Sequence, residues 1–153
     1  MEKRVIKFRA WDNIKKKMYQ EIDIITPDDG RCVLRPDGSV QTTSSCSRYN
    51  IMQFTGLLDR FGKDIYEDDI IKLVGGTCNF LPCGIYPDQK HEIGAILIVS
   101  KLPSGFTLQL PHHVGKLIPN MVGNVDNYLF WNHQQSLEVV GNIHEHKHLI
   151  EKK

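Results

Sequence analysis

The sequence predicts a mainly β protein, at most a β-rich α+β one, and two observations predict it. Apolar Ile6, Phe8 and Ala10 are separated by basic side chains within residues 5–11. This period of two is typical of a half-buried strand. Glycine occupies twelve positions and proline seven, so turns are frequent enough to separate many short strands. Only residues 146–153 indicate a helix, and a short one.

The N-terminal part of the chain predicts a β-meander. A polar run at residues 12–17 follows the first strand and predicts a turn. Pro36-Asp37-Gly38 predicts a hairpin tip, because Asp-Gly adopts positive φ at little cost. The strands predicted here are 5–11, 18–25, 31–35 and 39–43. We therefore expect residues 1–48 to form an N-terminal β-hairpin region.

Residues 49–153 predict a small SH3-like barrel. The continuous apolar run GAILIVS at 94–100 is typical of a central strand, and Leu102-Pro103-Ser104-Gly105 predicts a tight turn after it. Residues 75–92 are rich in Gly, Pro and Cys and predict an irregular insertion. The order strand, long loop, strand, tight turn, strand is that of an SH3-like barrel. The strands predicted here are 51–54, 65–66, 70–74, 94–100, 106–110, 127–131 and 137–143. The two regions could also form one continuous domain.

Charge and motif content narrow the classes of function. Nineteen Lys and Arg face eighteen Asp and Glu, so no overall field attracts nucleic acid or anionic lipid, and such binding would need a local patch. No apolar run approaches 18 residues and no secretory signal is readable, which predicts a cytoplasmic protein with reduced cysteines and no membrane partner. No nucleotide-binding, zinc-protease or serine-hydrolase motif occurs. We expect no cofactor and assign no catalytic residue.

Three segments are distinctive when taken together: IKFRAWD at 6–12 with KMY at 17–19, then MQFTGL at 52–57 continuing through GKDIYE at 62–67 to DII at 69–71, and finally EVVGNIHE at 138–145. In this order and spacing they resemble the YopX family of small bacteriophage and prophage proteins. The resemblance implies a β-rich fold with a barrel-like part and self-association. It implies no established activity. The residues that carry this structural family motif are Trp11, Gly56, Gly62, Tyr66, Asp69, Gly141 and Asn142.

The chain departs from the family pattern in two places. Asp68 stands where the family usually has Gly, and Asp tolerates a left-handed backbone better than most residues. The alternating His144, His146 and His148 replace the residues that the family often has near its C-terminus. Such histidines could hold a metal or respond to pH, although most such runs are solvated. Asp69 is expected to accept backbone amides at a corner of the barrel.

A basic face on the first strand is the candidate nucleic-acid site. Phosphates attract lysine and arginine, and bases stack on aromatic residues such as Trp11 and Tyr19. The alternative is a charged sheet edge that prevents strand pairing. The candidate nucleic-acid-binding residues are Lys7, Arg9, Lys15, Lys16 and Lys17.

Cys78, Cys83 and His91 could supply three ligands of a metal site. Zinc needs four converging nitrogen or sulfur ligands, and the fourth would come from Cys32, Cys46 or another histidine. The alternative is unpaired loop thiols. The three carboxylates at 67–69 are consecutive, and a cation site would need them to converge. Adjacent residues on a strand point to opposite faces, so the three cannot all do so.

These observations favour a phage or prophage accessory protein that acts by self-assembly and binding rather than by catalysis. The expected partners are further copies of this chain and a phage or host protein inside the bacterial cell. The alternative is a nucleic-acid-binding β-barrel module that uses the basic strand face. A metal-dependent enzyme is the third hypothesis.

Overall fold

A computed structural model describes residues 5–20, 22–25, 32–35, 41–43, 48–74, 94, 96–102, 105–109, 111 and 134–151. These residues form eleven β-strands and two single-turn 3-10 helices, at Gln134–Ser136 and Lys147–Leu149. The mainly β prediction is therefore confirmed. The predicted C-terminal helix is reduced to the second 3-10 turn. Within the described part of the chain, no helix is long and apolar enough to cross a membrane.

The chain divides into two compact units, Met1–Gly56 and Leu57–Lys153. The first contains five strands and most of a sixth, while the second contains the remainder. The strands in chain order are β1 (Phe8–Asp12), β2 (Lys17–Tyr19), β3 (Asp23–Ile25), β4 (Cys32–Arg35), β5 (Gln41–Thr43), β6 (Tyr49–Leu58), β7 (Asp64–Tyr66), β8 (Asp69–Leu73), β9 (Ile96–Leu102), β10 (Gly105–Gln109) and β11 (Leu137–Asn142).

In the first unit, β1 pairs antiparallel with β2 on one side and with β6 on the other. The last residues of β6 belong to the second unit, as does β7, the next strand after β6 in the same sheet. A further sheet of the first unit has the order β3-β4-β5. The predicted strand 18–25 is thus two strands in two sheets. Between them the Ile22 N–H donates to the Phe8 carbonyl at 3.0 Å. The hairpin expected around Pro36-Asp37-Gly38 is confirmed in its antiparallel β4–β5 pairing.

The first core does not follow a simple alternation along β1. Ala10, Tyr19, Ile22 and Tyr49 form a buried cluster, as the period of two predicts for Ala10. The whole run Arg9–Asp12 is also buried. Both faces of the strand are therefore covered at that point, and its polar side chains must find partners inside the fold.

The second unit contains an antiparallel sheet of order β10-β9-β8-β11. The apolar β9 lies between β8 and β10, as predicted, and Leu102 pairs with Gly105 across the tight turn. A register shift interrupts the β8–β11 ladder between Val139 and Gly141. The predicted insertion 75–92 and strand 127–131 lie outside the described residues. The core of this unit is formed by Leu57, Ile65, Ile71, Leu73, Leu97, Val99, Phe106, Leu108, Leu137 and Val139.

Candidate functional site

The hairpin turn between β1 and β2, residues 12–17, is braced by the carboxylate of Asp12. This side chain is fully buried. Its Oδ1 accepts the N–H groups of Ile14 at 2.8 Å and Lys15 at 2.9 Å. The Arg48 guanidinium donates to the same carboxylate, with its Nη2 2.6 Å from Oδ2. The hydrogen bonds from Arg48 outweigh the effect of burial and, with the two amides, lower the pKa of Asp12 to about 2. We call residues 12–17 the first braced turn.

The first braced turn presents an apolar side chain and a basic cluster to solvent. Ile14 is 71% exposed at its tip, and Lys15, Lys16 and Lys17 are all exposed. Lys16 has a φ of +52°, which lets the chain reverse into β2. Because Asp12 is buried and paired, the exposed charge of this turn is entirely cationic.

The turn between β6 and β7, residues 59–63, repeats this arrangement around Asp59. Its Oδ1 accepts the N–H groups of Phe61 at 2.8 Å and Lys63 at 2.9 Å, and its Oδ2 accepts the N–H of Val139 at 3.1 Å. Burial opposes the charged form, but the three amide donors outweigh it and the pKa of Asp59 lies below its usual value. Gly62, with a φ of +80°, completes the reversal. We call residues 59–63 the second braced turn.

The second braced turn also presents a large apolar side chain beside cations. Phe61 is 72% exposed, and the Arg60 guanidinium lies 5.2 Å from its ring centroid. Arg60 is itself fixed, because its Nη1 donates to the Val74 carbonyl at 3.1 Å and its backbone N–H donates to the Leu137 carbonyl. Lys63 is exposed. The aromatic ring therefore stands on a turn that is held at several points.

The predicted nucleic-acid face is only partly assembled. Lys7 is half-buried, with its Nζ 5.0 Å from the ring centroid of Phe54. Arg9 is only 5% exposed, so the expectation that it shares an outward face with Lys7 is wrong. Both faces of β1 are covered at Arg9, which an alternating pattern could not reveal. The exposed basic residues of this set are the three lysines of the first braced turn.

Four family-motif residues, Tyr66, Asp69, Gly141 and Asn142, meet at one corner, where the β7–β8 turn lies beside the end of β11. The Tyr66 N–H donates to Asp69 Oδ2 at 2.8 Å, which is the backbone-amide contact expected of Asp69. Asn142 pairs with Asp69 in the ladder, and its Oδ1 accepts the N–H groups of His144 and Glu145. Asp68 has a φ of +65°, so it does adopt the left-handed conformation. We call this the C-terminal corner.

The remaining motif residues lie elsewhere, with Gly62 in the second braced turn and Gly56 and Trp11 in the first unit. Gly56 has a φ of +90° and lets β6 continue to Leu58 rather than end there. Trp11 and Tyr66 are buried.

The candidate metal residues Cys78, Cys83 and His91 lie outside the described residues, so that hypothesis stays a prediction. In the parts of the chain that the structure describes, no three His, Cys, Asp or Glu side chains are grouped as metal ligands would be. The three carboxylates at 67–69 include two that have separate partners. Asp69 accepts the Tyr66 amide, whereas Asp68 Oδ2 lies 3.1 Å from His144 Nε2.

The family model described as YopX protein matches residues 7–151. The chain belongs to the YopX family. Among the crystal structures similar to it is protein EF1440 from Enterococcus faecalis, with 22% identity and a TM-score of 0.59; the match covers 97% of this chain and 100% of that one. Another is protein yopX from Bacillus subtilis, with 19% identity and a TM-score of 0.55; the match covers 95% of this chain and 98% of that one. At this identity the structures support the YopX fold alone. No curated protein matches the chain.

The sequence patterns did not identify Asp12 and Asp59 as a pair of carboxylates that brace equivalent turns. A signal was present, because Asp12 is the last residue of β1, Asp59 directly follows β6, and each begins a turn whose third residue is apolar. An aspartate at the start of a turn often accepts the amide two residues on. The second partners, Arg48 and Val139, could not be read from the sequence, since they are 36 and 80 residues away.

Proposed function

We propose that this YopX-family protein is a phage or prophage accessory protein that acts by self-assembly and binding rather than by catalysis. The observation that carries the proposal is the pair of braced turns, each displaying one large apolar residue. Ile14 and Phe61 occupy the same place, two residues after the bracing aspartate, and both are more than two-thirds exposed. Resemblance to a family found in phages supports the biological setting.

The bracing supports a binding role on energetic grounds. Ordering a loop on association costs free energy, and a turn already fixed by its own carboxylate avoids that cost. Aromatic residues and arginine are the side chains most enriched among those that dominate interface energy. Phe61 with Arg60 held beside its ring provides both at one tip.

The use of the buried acids supports the same conclusion. Asp12, Asp59 and Asp69 each accept hydrogen bonds from backbone amides of their own turns. The lowered pKa values of Asp12 and Asp59 keep them ionised at neutral pH. A general acid needs the opposite shift, toward the operating pH, so these two groups are suited to holding turns.

Light scattering after size exclusion tests the proposal. We expect the wild-type mass to exceed the 17.6 kDa of one chain, and Ile14→Ser or Phe61→Ser to lower it at equal concentration. Val5→Ser is the matched control, because Val5 is apolar and 58% exposed but lies outside both turns. A wild-type mass of one chain, or equal masses for all variants, would refute self-assembly through the turns.

Nucleic-acid binding is the second candidate function. The specific observation is the run of three exposed lysines beside Ile14 on the first braced turn. If they contact phosphates, labelled single- or double-stranded DNA binds at low salt and dissociates steeply as salt rises. Changing Lys15, Lys16 and Lys17 together to Gln then lowers both the affinity and the salt slope. Absence of salt-sensitive binding at micromolar protein would end this candidate without affecting the first.

A further inference from the structure

The imidazole of His146 is packed against β11 at the C-terminal corner. A Cβ added at Gly141 would lie 2.7 Å from His146 Cγ and 2.8 Å from its Nδ1, closer than side-chain packing allows. Only glycine therefore leaves room for this ring. The same histidine is fixed through its backbone, since its N–H donates to the Asn142 carbonyl at 2.9 Å.

The ring also accepts a hydrogen bond that requires it to be neutral. The Asn142 N–H donates to His146 Nδ1 at 3.3 Å. An imidazole nitrogen accepts only when it carries no proton, so the hydrogen of the neutral ring must be on Nε2. Protonation makes both nitrogens donors, and the Asn142 N–H would then face another N–H.

We propose that His146 is a pH-sensitive latch that holds residues 146–151 against the end of β11 while its ring is neutral and releases them when it is protonated. The proposal is independent of self-assembly. The latch segment contains the short 3-10 turn Lys147–Leu149, whose residues are exposed. A segment with so little burial depends on few contacts and opens at low cost.

The carboxylates near the latch have partners of their own or lie exposed at its end, and the nearby cations are on the segment itself. Glu145 is the nearest acid in sequence, but its Oε2 already accepts from Asn142 Nδ2 at 2.6 Å. On the segment itself, His148 has its ring centroid 6.1 Å from that of His146, and Lys147 adds a cation. Glu151 is exposed at the end of the segment. Across the ladder from Asn142, Asp69 accepts the Tyr66 amide.

His144 has the opposite response and serves as an internal reference. Its Nε2 lies 3.1 Å from Asp68 Oδ2, so a proton on His144 strengthens this contact as an ion pair. Acidification should therefore loosen residues 146–151 while the contact between His144 and the β7–β8 turn persists. A general acid unfolding would instead loosen both together.

Nitrogen-15 NMR of the full chain between about pH 8 and about pH 5 tests the latch, since histidine side chains change charge over this range. At high pH we expect His146 to be the Nε2–H tautomer, and the Asn142 amide shift to follow the His146 titration. After correction for intrinsic exchange, protection of the Asn142 N–H should fall up to roughly tenfold on acidification, the upper end for loss of one hydrogen bond.

Two variants complete the test. His146→Asn keeps an acceptor near the position of Nδ1 but does not titrate, and its Asn142 amide should be insensitive to pH. His148→Asn should behave like the wild type. Two results in the wild-type protein would overturn the proposal even if the variants do not fold. One is an Nδ1–H tautomer of His146 at high pH, and the other is an Asn142 amide shift that does not change when His146 is protonated.

Discussion

In both braced turns, the aspartate Oδ1 accepts two backbone amides of its own turn. The turns differ in which further groups bind the carboxylate. In the first, the Arg48 guanidinium holds Asp12, and its side chain remains 27% exposed. In the second, the Asp59 carboxylate is held mainly by three backbone amides, with a smaller coulombic attraction from Lys63, and one of the amides belongs to buried Val139 in β11. If its acceptor is lost, water can hydrate Arg48 but cannot easily reach the Val139 amide. The first braced turn should therefore tolerate loss of its aspartate better than the second braced turn does.

The largest expected effect is that of Asp59→Ala. Hydrogen bonds to ionised groups contribute more than neutral ones, and a buried donor without a partner carries its full desolvation cost. We expect the free energy of unfolding, measured by urea denaturation and circular dichroism, to fall by about 3–5 kcal/mol. Glu151→Ala, which removes an exposed carboxylate, is the control and should change it by less than about 0.5 kcal/mol.

Asp12→Ala should cost less, about 1–3 kcal/mol in the same measurement. The amides of Ile14 and Lys15 lie in a partly buried turn, where water can replace the lost acceptor. An Asp12→Ala cost equal to or greater than that of Asp59→Ala would contradict the comparison.

Much of the fold behind these turns follows from the sequence, and the reasons for its limits are physical. Alternation along β1 and the apolar run of β9 reveal strands because a side chain's face is set by a period of two. The burial of Arg9 is not readable, since it depends on what covers the second face. Likewise, Asp12 and Asp59 look like turn residues in sequence, but Arg48 and Val139 become their partners only through strand pairing. The acceptor role of His146 toward Asn142 requires the same knowledge of three-dimensional position.

Acid should reduce the contribution of Asp12 in a defined range. Its pKa is about 2 in the fold against 3.8 ordinarily, so its stabilisation is complete above about pH 4 and is lost as the pH falls toward 2. We expect Asp12→Asn to be less stable than the wild type at pH 6 by on the order of 1–2 kcal/mol. The difference should shrink steadily from about pH 4 to pH 2. A difference that stays constant over this range would show that the Asp12 charge is not what stabilises the turn.

The smallest expected effect is a difference between the two turns in how the cost of losing the aspartate depends on salt. The Asp12–Arg48 pair is partly exposed, so added salt screens it, whereas Asp59 is held mainly by backbone amides and only weakly by the charge of Lys63. Between about 0.05 M and about 1 M NaCl, which shortens the screening length severalfold, the cost of Asp12→Ala should fall. The cost of Asp59→Ala should change less. Equal responses of the two variants would mean that both turns depend on ion pairing to the same degree.

Sedimentation equilibrium of the wild type and of the double variant Ile14→Ser/Phe61→Ser tests the central claim most directly, namely that the braced turns are the contact points of the protein. Our account predicts that the wild type sediments as a multiple of 17.6 kDa and that the double variant, with an unchanged circular dichroism spectrum, sediments as a single chain. A wild type that stays monomeric at micromolar concentration, or a folded double variant that assembles as the wild type does, would contradict it.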